Sequence, residues 1–156
     1  VSGRTGRGKI PGEVVIQTYN PGDFTVNCAL QQDIKKFINN EYAERNLANY
    51  PPFSRIATIN FTGKSHEKVR QVSQIAAGIL TQLNKSKIDL LGPVSNPISR
   101  IKNQYRYFIM LKSRKDNDPG GNQLNQMLSR FITHETMDKS KGSVNIAIDV
   151  DPAGLL

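Results

Sequence analysis

Residues 54–62 read SRIATINFT, and residues 65–83 read SHEKVRQVSQIAAGILTQL. Side chains alternate along a strand, so Ala57, Ile59 and Phe61 share one face of the first stretch. Ser65 is placed to accept a hydrogen bond from an amide two or three residues on, as an N-cap does. From it a helix runs to about Lys85. Its apolar positions Val69, Val72, Ala76, Ile79, Leu80 and Leu83 recur at three and four residues and form one stripe. The pattern then repeats downstream. Residues 87–91 make a short strand that Gly92-Pro93 ends. In residues 104–112, Tyr105, Tyr107, Ile109 and Leu111 face one way, and Arg106, Phe108, Met110 and Lys112 face the other. Residues 116–122, DNDPGGN, are a loop. Residues 122–133 form a helix with Leu124, Met127, Leu128, Phe131 and Ile132 on one side, and residues 143–150 a strand with Val144, Ile146, Ile148 and Val150 on one side. The order from residue 54 is β-α-β-β-α-β, the split βαβ of the ferredoxin-like α+β class. Its helices cover one face of an antiparallel sheet, and the other face can stay open for binding.

Upstream the organisation differs. Residues 13–19, EVVIQTY, carry three consecutive apolar residues and read as a strand buried on both faces. Pro21-Gly22 turns the chain. Residues 24–47 are helical in two pieces. Asp33 suits the N-cap of the second, with Ile34, Phe37, Ile38 and Tyr42 at helical spacing. Asn49-Tyr50-Pro51-Pro52 ends that helix, because proline lacks the amide and disfavours helix in the residue before it.

The 156 residues are enough to bury a core without disulfides or metal. The net charge of +8 favours a polyanionic partner, nucleic acid or an anionic membrane. One cysteine, Cys28, excludes an internal disulfide and a multi-cysteine zinc site, and fits a small core residue on its helix. No apolar run approaches the roughly 18 residues of a membrane span, and the basic, Gly/Pro-rich start does not read as a signal peptide. His66 and His134 are far apart with no metal spacing. Asp149 and Asp151 fit a polar strand edge better than a metal pair. Glu41, Glu44 and Arg45 suit surface ion pairs.

Two basic segments stand out. GRTGRG, residues 3–8, places Arg4 and Arg7 among glycines; a flexible basic tail would read the same way. Residues 99–115, SRIKNQYRYFIMLKSRK, hold Arg100, Lys102, Arg106, Lys112, Arg114 and Lys115 with no acid among them. Cations neutralise phosphates and aromatics stack on bases, so Arg100, Lys102, Arg106, Lys112 and Arg114 are candidate DNA contacts. Tyr105 and Tyr107 are open to two readings, stacking or core packing beside Ile109 and Leu111.

Several stretches together resemble the primosomal protein N′ (PriA) family of replication-restart helicases. GRTGRG followed by PGEVVIQTYNP (11–21) resembles motif VI and the next strand of the second motor lobe. EYAERNLANYPPFSRIA (41–57), LGP (91–93), NQYRYFIMLK (103–112) and IDVDP (148–152) resemble its C-terminal portion in order and spacing. Asn49 departs from the family, which often has glycine there. The resemblance implies a C-terminal fragment of an ATP-dependent, 3′ to 5′ DNA helicase that recognises stalled forks and promotes primosome assembly. Residues 1–22 then end the second motor lobe, 23–50 are linker helices, and 51–156 form a C-terminal domain like ribosomal protein S10 in fold. Arg7 would be the arginine finger, with Arg4 beside it at the phosphates. ATP, magnesium and zinc would belong to the parent, with none bound by this stretch, which alone is expected to be inactive. The implied partners are single-stranded and forked DNA, the acidic tail of single-stranded DNA-binding protein, and other primosome proteins, in a bacterial cytoplasmic, nucleoid-associated setting without a membrane. Two rival classes are a basic nucleic-acid-binding module and a structural brace that touches no DNA.

Overall fold

The computed structural model describes residues 13–101 and 103–154. The chain forms two compact units that divide between Tyr42 and Ala43.

The first unit carries helix α1 (Phe24–Gln31) and the start of helix α2 (Ile34–Leu47). Asp23 Oδ1 accepts from the Thr25 amide at 2.8 Å and from the Val26 amide at 3.2 Å. Two of the donors that a helix start leaves unpaired are thereby satisfied. Asp33 Oδ1 does the same for the Lys36 amide at 3.0 Å. The two-piece helical reading therefore holds, and Cys28 is buried. The strand expected at 13–19 does not. Those residues carry no strand, and Val15 is 83 % exposed. An apolar run becomes a strand only where another strand takes up its amides and carbonyls, and none among the described residues pairs with it. The stripe on α2 is also not a core face, since Ile34 is 69 % exposed.

The second unit holds strand β1 (Ser54–Gly63), helix α3 (His66–Leu83), strands β2 (Asp89–Ile101) and β3 (Gln104–Arg114), helices α4 (Asn122–Ile132) and α5 (Glu135–Lys141), and strand β4 (Asn145–Val150). The sheet order is β2-β3-β1-β4, with every neighbouring pair antiparallel. This is the ferredoxin-like α+β arrangement expected from residue 54 onward. Ile59 sits opposite Ile109 on β3 and Ile148 on β4, at the centre of the sheet. Ala57, Ile59, Phe61, Ile109 and Leu111 point under α3 and α4, whose Val69, Ala76, Leu80, Leu124 and Phe131 are fully buried against them. Burying a large aliphatic or aromatic side chain of this kind contributes about 1.5–3 kcal/mol relative to leaving it exposed.

Three details depart from the sequence reading. β2 does not stop at Gly92-Pro93 but continues to Ile101 across two register shifts. Gly92 has φ +102, and a Cβ there would stand 2.8 Å from the Phe108 carbonyl oxygen. The residue therefore permits a bulge where strand termination was expected. β2 is an edge strand, where a missing proline amide costs little. Helix α5 was not anticipated, because Met137 is the sole buried apolar residue in ETMDKSK. His134 is its N-cap residue and therefore precedes a helix as well as following one. Ile132 and Val150, expected on core faces, are exposed at element ends.

The loop after β3 is tied down by Asp118, whose carboxylate is buried. It accepts from the Gln123 amide at 3.2 Å, from the Leu124 amide at 3.1 Å and from the Ser113 hydroxyl at 3.2 Å. Burial alone would push this carboxyl up. The amides of Leu124, Gln123 and Asn122 and the Ser113 hydroxyl outweigh it and hold the group below the usual aspartate range. Asp118 thus does the work of a helix cap for α4. The nominal cap residue, Gly121 at φ 72, has no side chain to offer.

Candidate nucleic-acid interface

Alternation places Arg106, Phe108, Met110, Lys112 and Arg114 on the sheet face opposite α3 and α4. The tyrosines go the other way: Tyr105 and Tyr107 pack against the core cluster. Tyr107 Oη also lies 3.1 Å from His66 Nε2, and the His66 ring is tilted over Tyr105 at 5.1 Å between centroids. The core-packing reading of the two tyrosines is the one the structure supports.

Arg106, Lys112 and Arg114 do not form one patch. Arg106 and Arg114 sit toward opposite ends of β3. An extended strand rises about 3.4 Å per residue, which separates them by roughly 27 Å. Lys112 is 8 % exposed. Its ammonium donates to the Ala48 carbonyl at 3.1 Å and stands 3.8 Å from the centroid of the Tyr50 ring. Arg114 donates through Nη1 to Asn49 Oδ1 at 2.7 Å and through Nη2 to Asp116 Oδ2 at 3.1 Å. Both side chains hold the turn after α2 against the sheet. Both therefore already hold protein partners, with Lys112 buried and 40 % of the Arg114 side chain exposed.

Asn49 is the hub of that turn. It adopts φ 54, which asparagine tolerates better than most residues. Its Nδ2 donates to Asp89 Oδ2 at 3.2 Å, and its carbonyl accepts from Ser54 Oγ at 2.6 Å. A glycine could take the backbone conformation but could not make the bonds to Asp89 and Arg114.

At the other end of β3 the face is open among the described residues. Arg106 lies opposite Thr62, and Phe108 lies between Asn60 and Val94. Both are half-buried, and among the described residues the Arg106 guanidinium has no hydrogen-bond or ion-pair partner. Leu91 and Val94 beside them on β2 are each 47 % exposed. A hollow of about 170 Å³ is lined here by Thr58, Asn60, Asn96, Arg106, Phe108 and Asp149. Arg100 lies on β2 opposite Tyr105, within a strand instead of the expected loop. Lys102, Arg4 and Arg7 lie outside the described residues.

A second groove, of about 560 Å³, was not anticipated. Arg45, Arg55 and Lys115 line it together with Tyr50, Asp151 and Pro152. Arg55 Nη1 pairs with Asp151 Oδ2 at 3.0 Å, and Arg45 Nη1 donates to the Pro51 carbonyl at 3.2 Å. The Arg55 stem runs across Gly121, where a Cβ would approach its Cδ to 2.8 Å. Its Nε is buried without a partner among the described residues. Lys115 lies 60 residues beyond Arg55, so no local pattern could have joined the three cations in one groove. Among the described residues no group of three His, Cys, Asp or Glu side chains is arranged to hold a metal, and Asp149 and Asp151 form no such site.

The family model described as the primosomal protein N C-terminal domain matches residues 46–153. The chain belongs to that family. Relatives include several replication restart proteins PriA. The chain is 33 % identical to that of Bacillus subtilis over 155 residues, 97 % of this chain and 18 % of the relative. It is 34 % identical to that of Synechocystis sp. over 112 residues, 72 % of this chain and 14 % of the relative. It is 30 % identical to that of Treponema pallidum over 156 residues, 100 % of this chain and 22 % of the relative. The chain thus spans less than a quarter of the length of these curated relatives. The primosomal C-terminal match covers all of the ferredoxin-like sheet and every residue lining the hollow beside Phe108 except Gly154. No helix among the described residues is long and apolar enough to cross a membrane.

Proposed function

We propose that this chain acts in DNA replication restart as the C-terminal part of an ATP-dependent, 3′ to 5′ DNA helicase that recognises stalled forks and assembles the primosome in the bacterial cytoplasm. The observation that carries this reading is the primosomal C-terminal family match over residues 46–153. The similarity continues upstream, at 97 % of this chain, in the Bacillus subtilis replication restart protein PriA. The role of the ferredoxin-like unit is to bind single-stranded and forked DNA with little sequence preference. Arg106, without a partner among the described residues, and the net charge of +8 support that role, with Arg100 and Lys102 as further contacts. Lys112 and Arg114 serve as internal braces, which gives the bracing alternative a share in the same domain.

Within the parent, Arg7 is the arginine finger that stabilises charge on the transferred phosphoryl group, and Arg4 is its neighbour at the phosphates. ATP and magnesium supply the phosphoryl chemistry when bound. No donor set among the described residues fits zinc, and no step depends on it. The partner carrying the acidic tail of single-stranded DNA-binding protein is favoured by the groove of Arg45, Arg55 and Lys115. Its charge, with Tyr50 and Pro152 alongside, suits an acidic peptide with an apolar end. In the full-length parent, Arg7→Ala abolishes ATP-driven unwinding, since such fingers contribute about 10³–10⁵ in turnover, and leaves fork binding intact. Helicase and gel-shift assays read the two separately. Wild-type hydrolysis by the mutant would remove Arg7 from the role.

A further inference from the structure

The open end of the sheet combines three properties. It offers an aromatic ring, Phe108, on a central strand. Two residues away on the same strand and face, at a rise of roughly 7 Å, it offers Arg106. That guanidinium has no protein partner among the described residues. Around them lie Thr58 and Asn60, joined by a 3.3 Å bond from Asn60 Nδ2 to Thr58 Oγ1. The pair still has donors and acceptors left for a ligand edge.

We propose that this sheet face binds single-stranded DNA by stacking one base on Phe108, with Arg106 neutralising the adjoining phosphate. A base presents a flat apolar face and a polar rim, and the hollow presents a ring floor with hydroxyl and amide walls. Duplex DNA keeps its bases stacked on one another and cannot offer a face, so the site selects an unpaired strand. The occupant has to be anionic beside Arg106 and apolar over Phe108, Val94 and Leu91, and an unpaired nucleotide is both. Asp149, on β4 opposite Thr58, makes the far side of the hollow acidic. That repels phosphates from the β4 edge and sends the strand along β3 and β2, past position 100. Tyr105 and Tyr107 take no part, being turned to the core.

The inference rests on the proposed DNA-binding role and is separable from it. The wild-type chain contains no tryptophan, so Phe108→Trp gives a single emitter at the stacking position. The probes are a thymidine strand of about 12 nucleotides, within the usual span of a single-strand-binding module, and the same strand with abasic sugars in place of the bases. Anisotropy of a labelled strand reports binding, and tryptophan emission reports stacking. The expected result is binding of both strands, with emission quenched by the thymidine strand and not by the abasic one. Phe108→Ala weakens binding of the thymidine strand roughly 5- to 100-fold, the range of one lost base–aromatic stack, and leaves the abasic strand unchanged. Binding with unaltered tryptophan emission overturns the stacking site while the DNA-binding role stands. Failure of the wild-type chain to bind either strand at low salt overturns both.

Discussion

Arg106 and Phe108 at one end of β3 and Lys112 and Arg114 at the other share a strand, a face and a sequence signal. Their surroundings are opposite. Lys112 and Arg114 are directed at the protein itself: the Ala48 carbonyl, the Tyr50 ring and Asn49 take up their charge. Arg106 has no such partner among the described residues. The difference is set by what packs over each end. The turn after α2 arrives at the Lys112 end through Asn49 and Tyr50, whereas the Arg106 end is bordered by an edge strand with exposed Leu91 and Val94. A basic run in sequence thus divides into a braced end and an end whose arginine has no partner among the described residues, and tertiary neighbours decide where the division falls.

The comparison breaks first at the braced end. Lys112→Ala removes a charge-assisted hydrogen bond, worth about 1.5–3 kcal/mol, and a partly desolvated cation–π contact, worth about 1–2 kcal/mol. Urea unfolding is expected to show a loss of about 3 kcal/mol, while DNA affinity under folding conditions stays near the wild-type value. A stable Lys112→Ala chain that bound DNA poorly would make Lys112 a ligand contact after all.

The next effect sharpens the picture of β3 as a strand with a fixed end. Asp118→Ala strips the cap from α4 and frees the Ser113 hydroxyl, a loss of about 2 kcal/mol on the scale of helix caps. The folded-state carboxyl lies below its unfolded value, which is about 3.9 for an aspartate. The unfolded chain therefore takes up the proton first as the solution is acidified. The contribution of Asp118 is fully present above about pH 4 and is lost as pH falls through the folded-state value. Denaturant midpoints measured between neutral and strongly acidic pH should fall less steeply for Asp118→Ala than for the wild-type chain, because the variant has no such contribution left to lose.

How far the sequence carries this account depends on whether a residue's partner is near it in the chain. β1 and α3 were legible because Ala57, Ile59 and Phe61 alternate and the stripe from Val69 to Leu83 is unbroken behind a serine cap. The β-α-β-β-α-β order followed from them. Gly92-Pro93 misled because the signal for a strand end is also the signal for a bulge, and only the nearby Phe108 carbonyl distinguishes the two. Residues 13–19 have the composition of a strand, but composition does not supply the neighbour a strand needs. In the candidate site, alternation already separated Tyr105 and Tyr107 from Arg106 and Phe108. That pattern could have nominated Phe108 as the aromatic beside the cation. Nothing local could show that Lys112 is buried, since its carbonyl partner is 64 residues upstream. Asp118 was hidden for a similar reason, because it caps a helix whose nominal cap residue is Gly121.

The smallest structural effect carries the most direct test. Arg106→Ala should shift stability by no more than about 0.5 kcal/mol, as surface substitutions usually do. Its effect belongs in the salt dependence of single-strand binding. If the chain neutralises about four phosphates, log K falls with log salt at a slope near −3, at ~0.7 per phosphate on a single strand. Fluorescence anisotropy over a salt series, with circular dichroism as the folding control, is predicted to give Arg106→Ala weaker binding at low salt and a slope shallower by about 0.7. A folded Arg106→Ala chain with the wild-type affinity and the wild-type slope would contradict the account, and would place the phosphate contacts on other residues.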